Sequence, residues 1–444
     1  MNVSPIINAE RGIDGVRWLL CAREPQRAVR RELQQLLLDG HTITSLLRHR
    51  TKYKPGRKLS AWYTAGVRDR QGADWGHREV AVTWTLQEPE MHPVAISSIE
   101  REARARGLAQ PFHRLRAWAP EWQMQVLVAP MDTDLPGLVR IADPDELADL
   151  ATFSPHRVTT VRYRPGQRHV LRHGAGGSSL FAKISAKAQP MTAVARIRAL
   201  ADWMETLDSP VGLVRPLTAR ATDDAAVYRG IIGRTIPLHP RWMHRTGVVL
   251  RQLHGAPTDM VPLPSASLDT EVTAVGRAAQ HIDALLSDTG PAFHAAVGRA
   301  ADIALGLPEE TPVVLHGDFK LDHVLLTADG LTLIDLDRCR MGDPSLDIGK
   351  FLADLRWRCE GHGHTLRMQQ AFLDGYAGAA DAEAPRRARC YEALLLLKIA
   401  ARRVPVTSPS WAACTEELVS KAGAIVNDLD TATGLNVPTA IGMK

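Results

Sequence analysis

The chain is poor in cysteine, with only Cys21, Cys339, Cys359, Cys390 and Cys414 among 444 residues. They are odd in number and widely spaced, and no C-x-x-C pair occurs, which argues against a zinc site. A reduced, cytoplasmic protein is the expectation. No apolar run approaches the ~18 residues needed to span a bilayer. The segment Ala393 to Val404 (ALLLLKIAARRV) is too short and reads as a buried helix. The opening MNVSPIINAERGIDG lacks a basic start followed by an apolar core, so it is not expected to be a signal peptide. Long runs of one charge are missing too. The 54 basic and 49 acidic residues leave a net +5, and like charges stand in pairs such as Arg30-Arg31 and Arg402-Arg403. A dedicated nucleic-acid binder would concentrate basic residues on one face. What is abundant is apolar residues, 45% of the chain, enough for substantial cores in about three units of ordinary domain size.

One stretch carries chemistry: VVLHGDFKLDHVLLTADGLTLIDLDRCRMGDPSLD, from Val313 to Asp347. His316-Gly317-Asp318 ends one apolar run, and Asp335 and Asp337 end another. Between them, Val324-Leu325-Leu326 and Leu331-Thr332-Leu333-Ile334 flank the turn Thr327-Ala328-Asp329-Gly330, which reads as a β-hairpin. A hairpin brings its outer ends together, so Asp318 and Asp335 are expected to face one cleft. One carboxylate can handle a proton while the other holds a metal, the pair that phosphoryl transfer from a nucleotide needs. A lone H-x-D or D-x-D is common in solvated turns; the joint order with apolar strands on both sides is more specific.

These residues resemble the catalytic core of the aminoglycoside phosphotransferase and choline kinase superfamily, small-molecule cousins of the protein kinases. HGDFKLDH and LIDLD fill the family's pattern, and GDPSLDIG continues it. The resemblance implies an α+β, bilobal protein-kinase-like fold. Its N-lobe would be an antiparallel sheet, its C-lobe α-rich, with an extra N-terminal α+β module here. It implies that Asp318 is the catalytic base or hydroxyl-orienting residue, that Asp335 is the Mg²⁺ ligand and that Lys320 touches the transferred phosphate. His323 stands where the family has Asn. A neutral imidazole can ligate a metal but is softer than the amide oxygen, and Mg²⁺ prefers hard oxygen, so Mn²⁺ enters as an alternative metal.

Upstream, HRVTTVRYRPGQRHVLRHGAGGSSLFAKIS (156–185) breaks into three strands at Pro165-Gly166 and at Gly174 to Ser178. By resemblance this opens the N-lobe, with Gly166 and Arg168 over the nucleotide phosphates and Lys183 clamping the α and β phosphates. Taken alone, the Pro-Gly turn reads equally as an ordinary hairpin. A helix from about Met191 to Leu207 follows. Its only glutamate, Glu205, is either the Lys183 partner or a solvent-facing charge. Val227 to Gly233 fits the linker between lobes, where the backbone at Arg229 to Ile231 would meet the adenine edge. Helical patterns then run over 241–254, 268–286, 345–359, 365–377, 385–403 and 411–428. His254 reads as a packed helix-end histidine, Asp347 as a brace for the catalytic loop and Asp343 as a turn or cap residue.

The first 140 residues hold an internal echo. LLRHRTKYKPGRKLSAWY (46–63) and TTVRYRPGQRHVLRH (159–173) share a basic-Tyr-basic-Pro-Gly core. Glu79 to Trp84 falls where the Lys183 strand would recur, without a Lys, and Met124 to Pro130 echoes the linker. A degenerate second N-lobe-like module is one reading; a cap over the acceptor pocket and a protein-docking module are others. The expected organisation is therefore an N-terminal module (1–140), an N-lobe with hinge (141–235) and a helical C-lobe (236–444).

The function these observations imply is transfer of the γ-phosphate of ATP or GTP to an alcohol hydroxyl of a small molecule such as a sugar, antibiotic or other natural product. Polycationic acceptors need acidic pockets, and no dense acidic cluster occurs in the C-terminal helices; Asp381, Glu383, Glu416 and Glu417 are scattered. Alternatives are a peptide Ser/Thr kinase that grips its substrate with residues 1–140, and a nucleotide-binding pseudokinase.

Overall fold

The computed structural model describes residues 2–90, 93–150, 157–186, 190–207, 211–220, 225–260 and 262–434. The chain divides into two compact units, Met1–Ala195 with Arg215–Ile232, and Arg196–Val214 with Gly233–Lys444.

The first unit opens with α1 (Ser4–Ile7), α2 (Gly12–Cys21) and α3 (Arg23–Leu36). Three long strands follow, β1 (His41–Lys54), β2 (Lys58–Asp69) and β3 (Asp74–Thr85), then α4 (Pro93–Ala105), β4 (Arg116–Ala119) and β5 (Met124–Val128). They form one antiparallel sheet in the order β1-β2-β3-β5-β4. After α5 (Leu138–Ile141) come β6 (Val158–Arg164), β7 (Arg168–His173), β8 (Leu180–Ser185) and α6 (Pro190–Glu205), which belongs to the second unit from Arg196 onward. The chain continues through β9 (Val211–Leu213), which belongs to the second unit, to β10 (Pro216–Arg220) and β11 (Ala225–Arg229). The second sheet runs β6-β7-β8-β11-β10.

Side chains alternate across a strand with period two. On β8 this buries Leu180, Ala182 and Ile184 and puts Lys183 on the opposite, half-buried face. The two sheets share apolar contacts. Trp62 and Ala81 of the first cluster with Leu138, Ile141, Tyr163 and Leu171. The family resemblance and the internal echo place a boundary near residue 140. Burial across that point instead makes residues 1–140 and the second sheet parts of one compact unit.

The second unit is helical around two small sheets. Its helices are α7 (Pro240–His254), α8 (Leu268–Leu285), α9 (Gly290–Leu305), α10 (Ser345–Arg358), α11 (His362–Ala377), α12 (Arg386–Arg402) and α13 (Trp411–Gly434). Its later strands are β12 (Arg234–Thr235), β13 (Val313–Leu315), β14 (Val324–Thr327), β15 (Gly330–Leu333) and β16 (Arg340–Gly342). The order β12-β14-β15-β9 places the expected hairpin, β14 with β15, at the centre of its sheet, and β13 pairs with β16. Phe319, Phe351 and Phe372 pack as a buried aromatic group beneath it. The pattern missed α9. Its buried stripe is Phe293, Ala296, Val297, Ala300 and Ala304, and alanines hide a helical period that larger residues would reveal.

Candidate active site

The site is built on the loop between β13 and β14. Gly317 has φ +72°, and a Cβ there would lie 2.2 Å from the Arg338 carbonyl oxygen, so only glycine fits. Asp347, at the start of α10 and fully buried, accepts the backbone N–H of His316 at 2.6 Å and of Gly317 at 3.0 Å. That is the bracing role its sequence position suggests. His316 ties the loop to the far end of the hairpin. Its Nε2–H donates to the Ile334 carbonyl at 3.0 Å, and its Nδ1 accepts the Asp318 N–H at 3.3 Å. Burial lowers the affinity of His316 for a second proton, consistent with this neutral tautomer. Asp335 adopts a left-handed backbone, φ +65°, sparsely populated for a residue other than glycine.

The hairpin brings three of the expected residues together. One ligand atom each from Asp318, His323 and Asp335 lie within 4.8 Å of one another. His323 Nε2 is 3.2 Å from Asp335 Oδ2, and its Nδ1 is 3.9 Å from Asp318 Oδ2. His323 is buried, and its Nδ1 has no hydrogen-bond partner. Burial, reinforced by the Lys320 ammonium, pulls its pKa down to about 3, so it is neutral at physiological pH and keeps one lone pair for a ligand. Two carboxylate oxygens and an imidazole nitrogen suit a divalent cation.

Asp318 is engaged on both oxygens. Lys320 Nζ is 2.8 Å from Oδ2, and Lys350 Nζ is 2.6 Å from Oδ1. Burial pushes the Asp318 carboxyl up, but the Lys350 and Lys320 ammonium groups outweigh it and hold it well below the ordinary carboxylate range. The sequence reading missed Lys350. Its signal is a cation inside the apolar run Ile348-Gly349-Lys350-Phe351-Leu352, three residues after Asp347 and hence on the same side of α10.

Other expected residues are placed as follows. His254 is buried at the end of α7, with Nδ1 2.9 Å from the Tyr376 hydroxyl and Nε2 3.5 Å from Asp347. Asp343 accepts the Ser345 N–H at 2.8 Å and Arg387 Nε at 2.7 Å, a turn residue. Glu205 is the exposed last residue of α6. Lys183 lies in β8, Arg168 begins β7, and Arg229 ends β11 with Ile231 just beyond, all in the first unit. The Gly166 amide corrects an expectation. It donates to the buried Asp132 Oδ2 at 2.9 Å, and Asp134 Oδ2 lies 2.6 Å from where a Gly166 Cβ would sit. The N–H expected to meet a phosphate is thus committed to a carboxylate.

With this geometry in hand, the comparisons are specific. A model described as the phosphotransferase enzyme family matches residues 161–391, from within β6 to within α12, including the β14–β15 hairpin. The chain belongs to this family and is a kinase acting on hydroxyl groups of small molecules. No curated protein matches the chain. Several crystal structures are similar. A choline/ethanolamine kinase family protein from Mesorhizobium loti is 18% identical, with 65% of this chain and 98% of that one covered and a TM-score of 0.46. A spectinomycin phosphotransferase in complex with ADP and spectinomycin is 13% identical, with 64% and 97% covered and a TM-score of 0.45. A choline kinase from Streptococcus pneumoniae is 15% identical, with 64% and 98% covered and a TM-score of 0.45. Among the described residues no helix is long and apolar enough to cross a membrane.

Proposed function

We propose that the chain transfers the γ-phosphoryl group of ATP or GTP to an alcohol hydroxyl of a small acceptor, with Asp318 as the residue that receives that hydroxyl. The observation supporting this is the cluster of Asp318, His323 and Asp335 beside Lys320 and Lys350, inside the stretch that matches the family. The donor set and the unpartnered buried Nδ1 of His323 fit a divalent cation. Asp335 and His323 would hold it, and Mg²⁺ or Mn²⁺ there would supply charge neutralisation for the nucleotide phosphates.

Phosphoryl transfer proceeds through a loose transition state in which positioning and charge stabilisation dominate. Asp318 suits that demand. A carboxylate held ionised by two ammonium groups is a weak proton acceptor, so its work is to orient the hydroxyl by accepting its hydrogen bond. Lys320 and Lys350 place positive charge where the transferred group becomes more exposed. Lys183 and Arg168 are the proposed phosphate contacts on the second sheet, and the backbone from Arg229 to Ile231 the proposed adenine contact. Gly166 contributes the turn that orients Arg168 and not its own amide. Residues 1–140 are proposed to be a degenerate second N-lobe-like module.

The test is release of ADP and GDP against a pooled panel of sugars, aminoglycosides, macrolides and hydroxy acids, with Mg²⁺ and with Mn²⁺, beside Asp318→Asn. Release that depends on an acceptor and is lost in the variant supports the reading. Acceptor-dependent release that survives Asp318→Asn removes Asp318 from the proposed role. A second reading, nucleotide binding without transfer, draws on the same residues, since both Asp318 oxygens are occupied and His323 replaces the usual Asn. Tight nucleotide binding with no release under any condition favours it. The family match gives no support to a peptide acceptor.

A further inference from the structure

Cations accumulate from Asp318 outward along α12, and the accumulation has a direction. Asp318 carries one negative charge between two ammonium groups, Lys320 and Lys350. Lys350 in turn lies within electrostatic reach of Lys398 on α12. Lys398 Nζ sits 2.8 Å from Glu271 Oε2, while Arg340 takes the other oxygen at 2.9 Å, so a second carboxylate is again shared by two cations. Beyond Lys398 stands Arg402, one turn further along α12 and exposed, where it donates to the Ala274 carbonyl of α8 at 3.2 Å; Arg277, three residues after Ala274, and Arg338 repel it, and Glu271 attracts it. No carboxylate among the described residues forms an ion pair with Arg277, Arg338 or Arg402. All these groups belong to the second unit.

A solvated helix face would explain scattered cations, but not this arrangement. The ammonium groups of Lys320 and Lys350 are matched by Asp318 and Asp335, and the surplus builds outward from there, through Lys398 and Arg340 sharing the one carboxylate of Glu271, to the exposed guanidinium groups of Arg277, Arg338 and Arg402. Like charges held together raise the potential of a cleft and concentrate counter-ions there. The contact with Asp318 adds a constraint. A hydroxyl that hydrogen-bonds to Asp318 shares its oxygens with both ammonium groups, and a partly buried ammonium whose carboxylate is shared gains from a further anion.

We propose, on the phosphotransferase reading above, that the acceptor is itself an anion: a hydroxyl compound bearing a phosphate or carboxylate group. That group is received by Lys350, with Lys398 and the arginines Arg277, Arg338 and Arg402 around it. Polycationic acceptors are disfavoured by the same charges.

The test is isothermal titration of the full chain saturated with a non-hydrolysable ATP analogue and Mg²⁺. Glucose 6-phosphate, gluconate, glucose and kanamycin serve as separate probes. At least one anionic probe should bind about tenfold or more tightly than glucose, a difference of about 1.4 kcal/mol, and kanamycin should not compete. Glucose 6-phosphate alone binding points to phosphate; gluconate alone binding points to carboxylate. The triple variant Arg277→Ala/Arg338→Ala/Arg402→Ala, at exposed positions, should erase the preference while leaving nucleotide affinity unchanged. Arg277→Glu alone, on the exposed side of α8, should shift it the same way and guards against a folding defect in the triple variant. The proposal is overturned if glucose or kanamycin binds as tightly as the anions, if neither anion binds, or if the variants leave anion binding intact. Failure of the phosphotransferase reading is visible separately, as absence of nucleotide binding. The four titrations repeated without nucleotide then still decide the charge preference.

Discussion

The first unit contains two five-stranded sheets that follow one plan, and only one of them carries the residues expected to meet a nucleotide. In each, three strands form a meander, a helix follows the third strand, and the fifth strand inserts between the third and the fourth. Each opens with a Tyr-basic-Pro-Gly turn in which Pro sets φ and Gly takes a positive value, +68° at Gly56 and +65° at Gly166. Each turn is anchored in the same manner. Tyr53 Oη donates between the Ile6 and Ile7 carbonyls, at 2.9 and 3.0 Å, and the Gly56 N–H donates to that of Ile7 at 2.8 Å. Tyr163 Oη and the Gly166 N–H both donate to Asp132 Oδ2, at 2.9 and 2.9 Å. The shared motif is therefore a staple that holds the first hairpin to the chain before it.

The sheets differ on the third strand. Lys183 of β8 pairs with Val170 and Ala226, two residues before Ser185 pairs with the first residue of β7. The same register in the first sheet lands on Thr83 of β3, paired with Ser60 and Gln125. Thr83 Oγ1 donates to Ser60 Oγ at 3.1 Å, so a short neutral contact stands where the second sheet has a cation. One architecture can thus persist while the proposed phosphate contact, Lys183, stands in one sheet and a threonine in the other, because strand pairing depends on backbone and buried faces and not on the side chain of one half-exposed position.

Changes to the catalytic loop should exceed anything made in the first sheet. Asp318→Asn is expected to lower turnover about 10²–10³-fold with the fold intact, the scale of one lost preorganised hydrogen-bonding group, read as kcat beside a thermal melt. Next in size, Lys183→Ala should weaken nucleotide-dependent turnover by about 10²-fold, the scale of one lost charge-assisted phosphate contact. Thr83→Ala should leave it unchanged, and titration should find one nucleotide per chain. Equal effects at the two positions, or two nucleotides bound, would break the contrast between the sheets.

The pH dependence comes third. The folded-state pKa of His323 lies near 3, below its ordinary value. The unfolded chain therefore takes up this proton first as pH falls. The contribution of His323 is fully present above about pH 6.5 and is lost towards pH 3, by up to about 1.4 kcal/mol per pH unit. His323→Asn should flatten that part of a stability profile against pH and, by offering an amide oxygen, shift metal preference towards Mg²⁺. A profile unchanged by the substitution would rule out the neutral, buried imidazole.

The smallest effects sharpen the comparison of the staples. Tyr53→Phe and Tyr163→Phe should each cost about 1–3 kcal/mol, measured by urea unfolding. Tyr163→Phe should cost more, because it leaves a buried carboxylate short of a donor where Tyr53→Phe leaves a carbonyl. Gly56→Ala meets open space, and its cost should be about 1 kcal/mol from the left-handed backbone alone. Gly166→Ala adds the clash with Asp134 and should cost more.

The catalytic loop was readable from sequence because its order is local. His316, Asp318, His323 and Asp335 lie within one short hairpin, and Asp-Gly with flanking apolar runs announces it. The helices of the second unit were readable where Leu, Met and aromatic residues mark the period, and α9 was not, because alanine carries a weak apolar signal. The internal echo was visible as Tyr-Lys-Pro-Gly and Tyr-Arg-Pro-Gly, followed by Glu79 to Trp84 and Met124 to Pro130. The purpose of that echo was misjudged for Gly166, since its acceptor, Asp132, lies 34 residues away and carries no local mark.

The sequence by itself determined the chemistry-bearing loop with its hairpin, the three strands within 156–185 and the larger helices of the second unit apart from α9, since turn residues and apolar period act over a few positions. Tertiary structure alone decided three things: that Lys350 meets Asp318, that the Gly166 amide meets a carboxylate, and that residues 1–140 share a core with the second sheet. Each depends on a contact between segments distant in the chain, where direction and distance are set by packing and leave no periodic trace in the order of residues.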